Sequence, residues 1–210
     1  MKKFTKTLIA AGLISASVSA HADLSANLGG MTDYWFRGLD QATASGSIMG
    51  GLDYEHESGF YAGTWLASLT DDYEYDLYAG YNGSVNDFTY GVGVTGYYYD
   101  DFDGDFEELN LSAGYGPVSL AYAIGEYDEA GTKKDYTFLS VTAEYEGAYV
   151  TYGDYGDELS GDYFEVGYGM TYQDIDLSVA AIFPDDDSSA GNFVDDSNRV
   201  LFTFSKAFTF

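Results

Sequence analysis

Hydrophobic side chains recur at every second position along almost the whole chain, and no stretch sustains a helical period. Phe88, Tyr90, Val92 and Val94 alternate with Thr89, Gly91, Gly93 and Thr95. Leu109, Leu111, Ala113 and Tyr115 alternate with Glu108, Asn110, Ser112 and Gly114, and the same holds around Val118–Ile124 and Phe164–Tyr172. Successive side chains of a strand point to opposite faces, so each segment has one apolar face and one small or polar face. This pattern makes an all-β, antiparallel architecture the expectation.

About twelve such segments are expected, of a length near the ~9–11 residues that a tilted membrane strand needs. They cover residues 24–38, 46–56, 59–68, 73–82, 87–98, 106–115, 118–126, 135–145, 148–154, 162–172, 175–183 and 198–210. Their connections alternate in length. His56 to Gly59, Asn82 to Asp87, Gly116-Pro117, Glu146-Gly147 and Gln173-Asp174 are short. Leu39 to Ser45, Leu69 to Asp72, Tyr99 to Asp105, Tyr127 to Lys134, Tyr155 to Gly161 and Pro184 to Ser197 are longer and mostly acidic. A transmembrane barrel has short periplasmic turns and longer extracellular loops, and an even strand number puts both termini in the periplasm.

The charges sort the same way. Apart from those in or beside connections and Asp23, the acids are Asp33, Asp53, Glu55, Glu74, Asp76, Glu108, Glu144, Glu165 and Asp176. All fall on the face expected to line a lumen. A charge on the lipid face at mid-membrane would cost about 2–4 kcal/mol. The 22 tyrosines suit aromatic girdles at two membrane interfaces.

Residues 1–22 read as a signal peptide, leaving 23–210 as the barrel. Lys2, Lys3 and Lys6 form a positive start, Leu8 to Ile14 an apolar stretch, and Ala20-His21-Ala22 a small-x-small cleavage site. Cleavage removes three of the eight basic residues and none of the 35 acidic ones. The strongly acidic remainder repels nucleic acid and anionic headgroups and favours cations. There is no cysteine, which excludes disulfides and thiol-based sites.

Two clusters carry a family likeness: Asp33-Tyr34, Phe36-Arg37-Gly38 and Gln41, then Gly50-Gly51, Asp53-Tyr54, His56, Ser58-Gly59, Tyr61, Gly63 and Trp65. In them the chain resembles the TorF-type porin family of proteobacteria; Thr32 and Asp40 stand where that family carries serine. The resemblance implies an outer-membrane barrel. It also implies that Phe210, ending an alternating strand with Phe208, Phe204, Phe202 and Val200 on one face, marks a substrate of the barrel-assembly machinery. Lys206 interrupts that row, and its long stem can snorkel to an interface.

The expected lumen charges are Asp33, Arg37, Asp53, Glu55, Glu108, Glu144, Glu165 and Arg199. Arg37 shares a strand face with Asp33 and Trp35, while Tyr34 and Phe36 point to lipid. It either sets a constriction, as charged rings do in selective pores, or staples the first strand, with Asp53 and Glu55 the nearest acids. Arg199 begins the last strand and belongs near the closing seam. The small lumen residues either leave a channel or make room for Tyr97, Tyr99, Tyr149, Tyr155 and Tyr163.

His56 would be the only histidine left after processing, and a single one builds no histidine metal site. With a serine it could serve a lipid hydrolase, but it falls in a periplasmic turn. Around Asp101, Asp103 and Asp105 the spacing fails the EF-hand pattern, leaving weak divalent binding or a solvated rim. No cofactor is expected. The partners expected are outer-membrane lipid and lipopolysaccharide, the assembly machinery and small solutes. The expected function is a porin-like channel of the cell outer membrane for small cationic or neutral solutes, not an enzyme. The alternative is a non-conducting barrel whose acidic loops bind divalent ions or partners.

Overall fold

The computed structural model describes residues 23–42, 45–100, 104–129, 131–185 and 197–210, with Glu129 described by its backbone alone. The leader expected over 1–22 lies outside them. The strands are β1 (Asp23–Met31), β2 (Trp35–Phe36), β3 (Leu39–Asp40), β4 (Ser47–Glu55), β5 (Phe60–Ser68), β6 (Tyr73–Val85) and β7 (Phe88–Tyr99). There follow β8 (Phe106–Tyr115), β9 (Val118–Glu129), β10 (Thr132–Tyr145), β11 (Ala148–Asp157), β12 (Gly161–Tyr172), β13 (Ile175–Pro184) and β14 (Arg199–Thr209). Among the described residues there is no helix.

β1 and β4–β14 form one closed antiparallel barrel of twelve strands. The seam pairs β1 with β14, from Ser25↔Thr209 to Met31↔Thr203. Phe210 extends it by donating its N–H to the Leu24 carbonyl at 3.0 Å. A closed ring leaves no sheet edge, so the backbone polar groups of the wall are satisfied within it.

The expected faces are present. Tyr90, Val92 and Val94 are exposed on the outer wall, as are Leu109, Leu111, Phe164, Val166 and Val200. Glu74, Asp76 and Glu108 are buried inside. The apolar rows end toward the longer connections in acids, with Glu126 placed opposite both Glu107 and Asp135, and Asp154 opposite Asp162. Carboxylates are thus kept off the apolar band, where each would cost about 2–4 kcal/mol. Lys206 does sit on the outer row, opposite Leu28 and beside the Phe208 ring at 5.8 Å, close to the chain end. A stem of that length reaches an interface from there.

Turn chemistry fixes the short end. Glu146-Gly147 and Gln173-Asp174 are two-residue loops with both φ values positive, the geometry whose twist matches flanking antiparallel strands. Two longer connections are tighter than the sequence suggested. β9 and β10 run to Glu129 and from Thr132, and β11 runs to Asp157, so the expected 127–134 and 155–161 loops are largely strand. Thr132↔Glu129 and Lys133↔Asp128 pair there, because backbone pairing is available to polar strands above the apolar band as well.

Inside, tyrosine rings lie over glycines of neighbouring strands. A Cβ on Gly125 would come 2.5 Å from the Tyr136 ring, and Gly167 and Gly153 stand in the same relation to Tyr149 and Tyr163. The small lumen residues therefore make room for rings, one of the two alternatives the sequence left open. Tyr97, Tyr149, Tyr155 and Tyr163 are all buried.

Placing Val94→Arg in the middle of β7 on the outer wall should cost about 2–4 kcal/mol. Urea unfolding of vesicle-inserted protein measures this, and an unchanged midpoint would mean that position 94 does not face hydrocarbon.

Candidate functional site

The first strand does not run to residue 38. β1 stops at Met31, and the chain then turns into the barrel as a small hairpin of β2 and β3. Its loop is Arg37-Gly38, with φ values of 51° and 83°. Positive φ at both residues gives the type I′ turn and is incompatible with a continuing strand. Gly38 is needed twice over, since a Cβ there would also meet the Tyr163 ring at 2.6 Å.

Charge and polarity drive this departure. A continued strand would have put Tyr34 and Phe36 in lipid, as the alternation implies. Instead Tyr34 is 3 % exposed and its hydroxyl donates to Glu74 Oε1 at 2.8 Å. Phe36 packs on Tyr97 with ring centroids 5.6 Å apart. Buried carboxylates on β6 and β8 need such donors, because an unpaired charge away from water is costly. Burial, with Glu74 and Asp76 close by, pushes the Tyr34 hydroxyl well above its usual pKa, so it remains a donor.

Arg37 sits at the tip. Its Nη1 and Nη2 donate to Glu108 Oε1 and Oε2 at 2.5 and 3.1 Å. Glu108 is 4 % exposed and also accepts from Tyr97, Tyr136 and Asn110 at 3.1, 2.7 and 2.7 Å. The guanidinium lies between two rings, 4.7 Å from the Phe36 centroid and 4.5 Å from that of Phe138. Burial would lower the Arg37 pKa, but the Glu108 carboxylate, seconded by Tyr97 and Tyr155, holds it well above the usual value.

The base of the hairpin is held on the opposite wall. Arg199 approaches Asp33 at 3.7 Å and lies 6.0 Å from the Trp35 ring. Trp35 is buried in a cluster with Phe138, Tyr163, Ile182 and Leu201. Ala42 packs with Tyr34, Met49 and Ala67, and its carbonyl accepts from the Thr70 and Ser45 hydroxyls. The segment therefore crosses the lumen and touches the wall from β4 round to β14.

Four of the residues expected in the lumen meet here in two pairs that the sequence did not indicate: Arg37 with Glu108, and Asp33 with Arg199. Asp53 and Glu55 are not the partners of Arg37. Asp53 accepts from Asn27 at 3.3 Å and from Tyr78, and Glu55 lies opposite Asp23 at the far end of β4. Inward folding carries Arg37 away from its neighbours in sequence. Glu165 accepts from Tyr149, and Glu144 is half-buried near the short-turn end of β10. Glu74 and Tyr97 were expected on the lumen side without a partner, Tyr34 was expected to face lipid, and Asn110, Tyr136 and Phe138 were not singled out as site residues. The one local hint is the Arg-Gly pair, which alternation alone reads as strand. Asp101 and Asp103 lie outside the described residues, and Asp105 is exposed. His56 Nδ1 contacts Ser58 Oγ at 2.7 Å within an exposed turn and also accepts from the Ser58 N–H at 3.2 Å, so the contact closes the turn.

Residues 15–210 match the family model Gcw_chp, described as a bacterial protein of unknown function. The chain belongs to that family. Among solved structures the Gcw_chp barrel is similar to the KdgM porin, with a TM-score of 0.59 at 9 % identity over 89 % of this chain and 99 % of that one. The KdgM porin in complex with disordered oligogalacturonate gives a TM-score of 0.56 at 8 % identity, covering 90 % and 99 %. A membrane protein from work on in-meso crystallization gives 0.56 at 12 % identity, covering 90 % and 84 %. At these identities the likeness is one of fold: an all-β, closed antiparallel barrel. No curated protein matches the sequence.

Glu108→Ala leaves the Arg37 guanidinium buried without its partner, and should destabilise the barrel by about 3–5 kcal/mol. Tyr136→Phe removes one hydrogen bond to a charged group and should cost less, about 1.5–3 kcal/mol. Chemical denaturation in detergent ranks the two, and the reverse order would refute the central place given to the ion pair.

Proposed function

We propose that this barrel is a porin-like channel of the outer membrane for passive diffusion of small cationic or neutral solutes, narrowed by its own inward hairpin. Residues 1–22 then serve as the leader, and Phe210 is the signal to the barrel-assembly machinery. The TorF-type resemblance of residues 33–65 belongs to the same proposal, as do contacts of the outer wall with lipid and lipopolysaccharide. No catalytic role is assigned.

The observation that carries the proposal is the sorting of charge. Asp33, Asp53, Glu55, Glu74, Asp76, Glu108, Glu144, Glu165 and Asp176 are all buried or half-buried on the inner side. Against them stand Arg37 and Arg199, each beside one of these carboxylates. Among the described residues, Glu74 Oε2 and Asp76 Oδ1 are buried without a hydrogen-bond partner, an arrangement that attracts a cation or a proton. A lumen of this sign concentrates cations and raises a barrier to anions. An acidic sugar chain such as the oligogalacturonate bound to KdgM is therefore disfavoured here.

A second reading has its own support. The rings of Trp35, Phe138, Tyr155 and Tyr163 gather round the hairpin, which suits a barrel that stays closed. Pure protein in planar bilayers separates the two. Small discrete conductance steps with cation preference at low salt are expected, and Arg37→Ala, which frees the hairpin tip, should enlarge them. Absence of steps in both proteins favours the closed barrel, and anion preference sinks the proposal.

A further inference from the structure

The receptor for the Arg37 guanidinium belongs to the barrel wall. Glu108 is oriented by Asn110 of its own strand β8, by Tyr97 of β7 and by Tyr136 of β10. Both carboxylate oxygens are engaged: Oε1 accepts from Tyr136 and Oε2 from Tyr97 and Asn110, beside the two arginine donors. Phe138 of β10 supplies a flat face 4.5 Å from the guanidinium carbon. Apart from Phe36, these groups come from the wall, so the pocket does not need the hairpin to be built.

Its chemistry selects a guanidinium. A planar fork meets a carboxylate with two parallel hydrogen bonds and stacks on an aromatic face, whereas an ammonium does neither as well. The occupant is also an unusual turn residue. The first central position of a type I′ turn prefers Asn, Asp or Gly, and Arg37 holds φ 51° there. An arginine in that conformation is kept for its head group. It is delivered by a ribbon of two residue pairs, Trp35↔Asp40 and Phe36↔Leu39. A short tethered element in a wall-built pocket has the form of a competitor for a diffusing ligand.

We propose that Glu108, Tyr97, Tyr136, Asn110 and Phe138 form a guanidinium-binding subsite whose resident is Arg37, and that a guanidinium-bearing solute displaces it and releases the hairpin. The proposal takes its solute from the channel reading, but its binding test needs no conductance. Arg37→Ala empties the subsite, and its melting temperature in detergent should fall. Tens of millimolar methylguanidinium should recover at least half of that loss. Methylammonium and sodium at matched ionic strength should recover none, nor should methylguanidinium in the Arg37→Ala/Glu108→Gln double variant. No recovery, equal recovery by methylammonium, or recovery that survives in the double variant would overturn the subsite. If Arg37→Ala does not assemble, the unmodified protein decides by limited proteolysis. Methylguanidinium should speed cleavage within residues 32–46 severalfold over methylammonium, and equal rates would overturn the proposal. A barrel that never conducts still passes or fails both assays, so loss of the channel reading and loss of the subsite are distinguishable.

Discussion

Hydrocarbon offers no hydrogen bonds, and that single lack organises this protein. Every backbone N–H and C=O within the membrane must be satisfied by the chain itself, which for strands means a closed ring. Twelve strands close between β1 and β14, and the outer side chains are the ones a lipid environment tolerates. Polar chemistry then has only two places to go, the connections and the interior. The acids obey this at each strand: they appear on the outer row only where it leaves the apolar band, as at Glu107, Glu126 and Asp135.

An interior that holds so many carboxylates has to answer for them. Part of the answer is tyrosine. Hydroxyls from Tyr34, Tyr97, Tyr136, Tyr78 and Tyr149 donate to Glu74, Glu108, Asp53 and Glu165. The glycines opposite are what lets those rings lie flat against the wall. The rest of the answer is the hairpin, which brings Arg37 to Glu108, a carboxylate that already accepts from Tyr97, Asn110 and Tyr136. The segment that narrows the interior and the segment that neutralises it are thus the same piece of chain.

Most of the barrel was legible in the sequence because its rule is local. Period-2 alternation needs only neighbouring residues, and it gave the strand number, the inner acids and the short turns at Gly116-Pro117, Glu146-Gly147 and Gln173-Asp174. The hairpin was not legible for the same reason. Asp33 to Arg37 also alternates, so a rule of alternation extends β1 through it. What breaks the strand is a pair of long-range demands, Glu74 for Tyr34 and Glu108 for Arg37, separated by 40 and 71 residues. Lumen membership could be assigned to Arg37 and Glu108 one at a time, but their pairing depends on barrel closure. The strand ends of β9, β10 and β11 were underestimated because polar residues above the membrane pair as readily as apolar ones within it.

The central claim is that lipid and lumen alternate residue by residue along the wall. The chain has no native cysteine, so single labelling sites are easily placed. Spin labels at successive positions 90 to 95 of β7 in bilayers would report collision with oxygen, which partitions into hydrocarbon, and with a water-soluble nickel chelate. Positions 90, 92 and 94 should be open to oxygen and closed to nickel, and positions 91, 93 and 95 should show lower oxygen access. Uniform access of the nickel reagent to all six would contradict a membrane-embedded barrel.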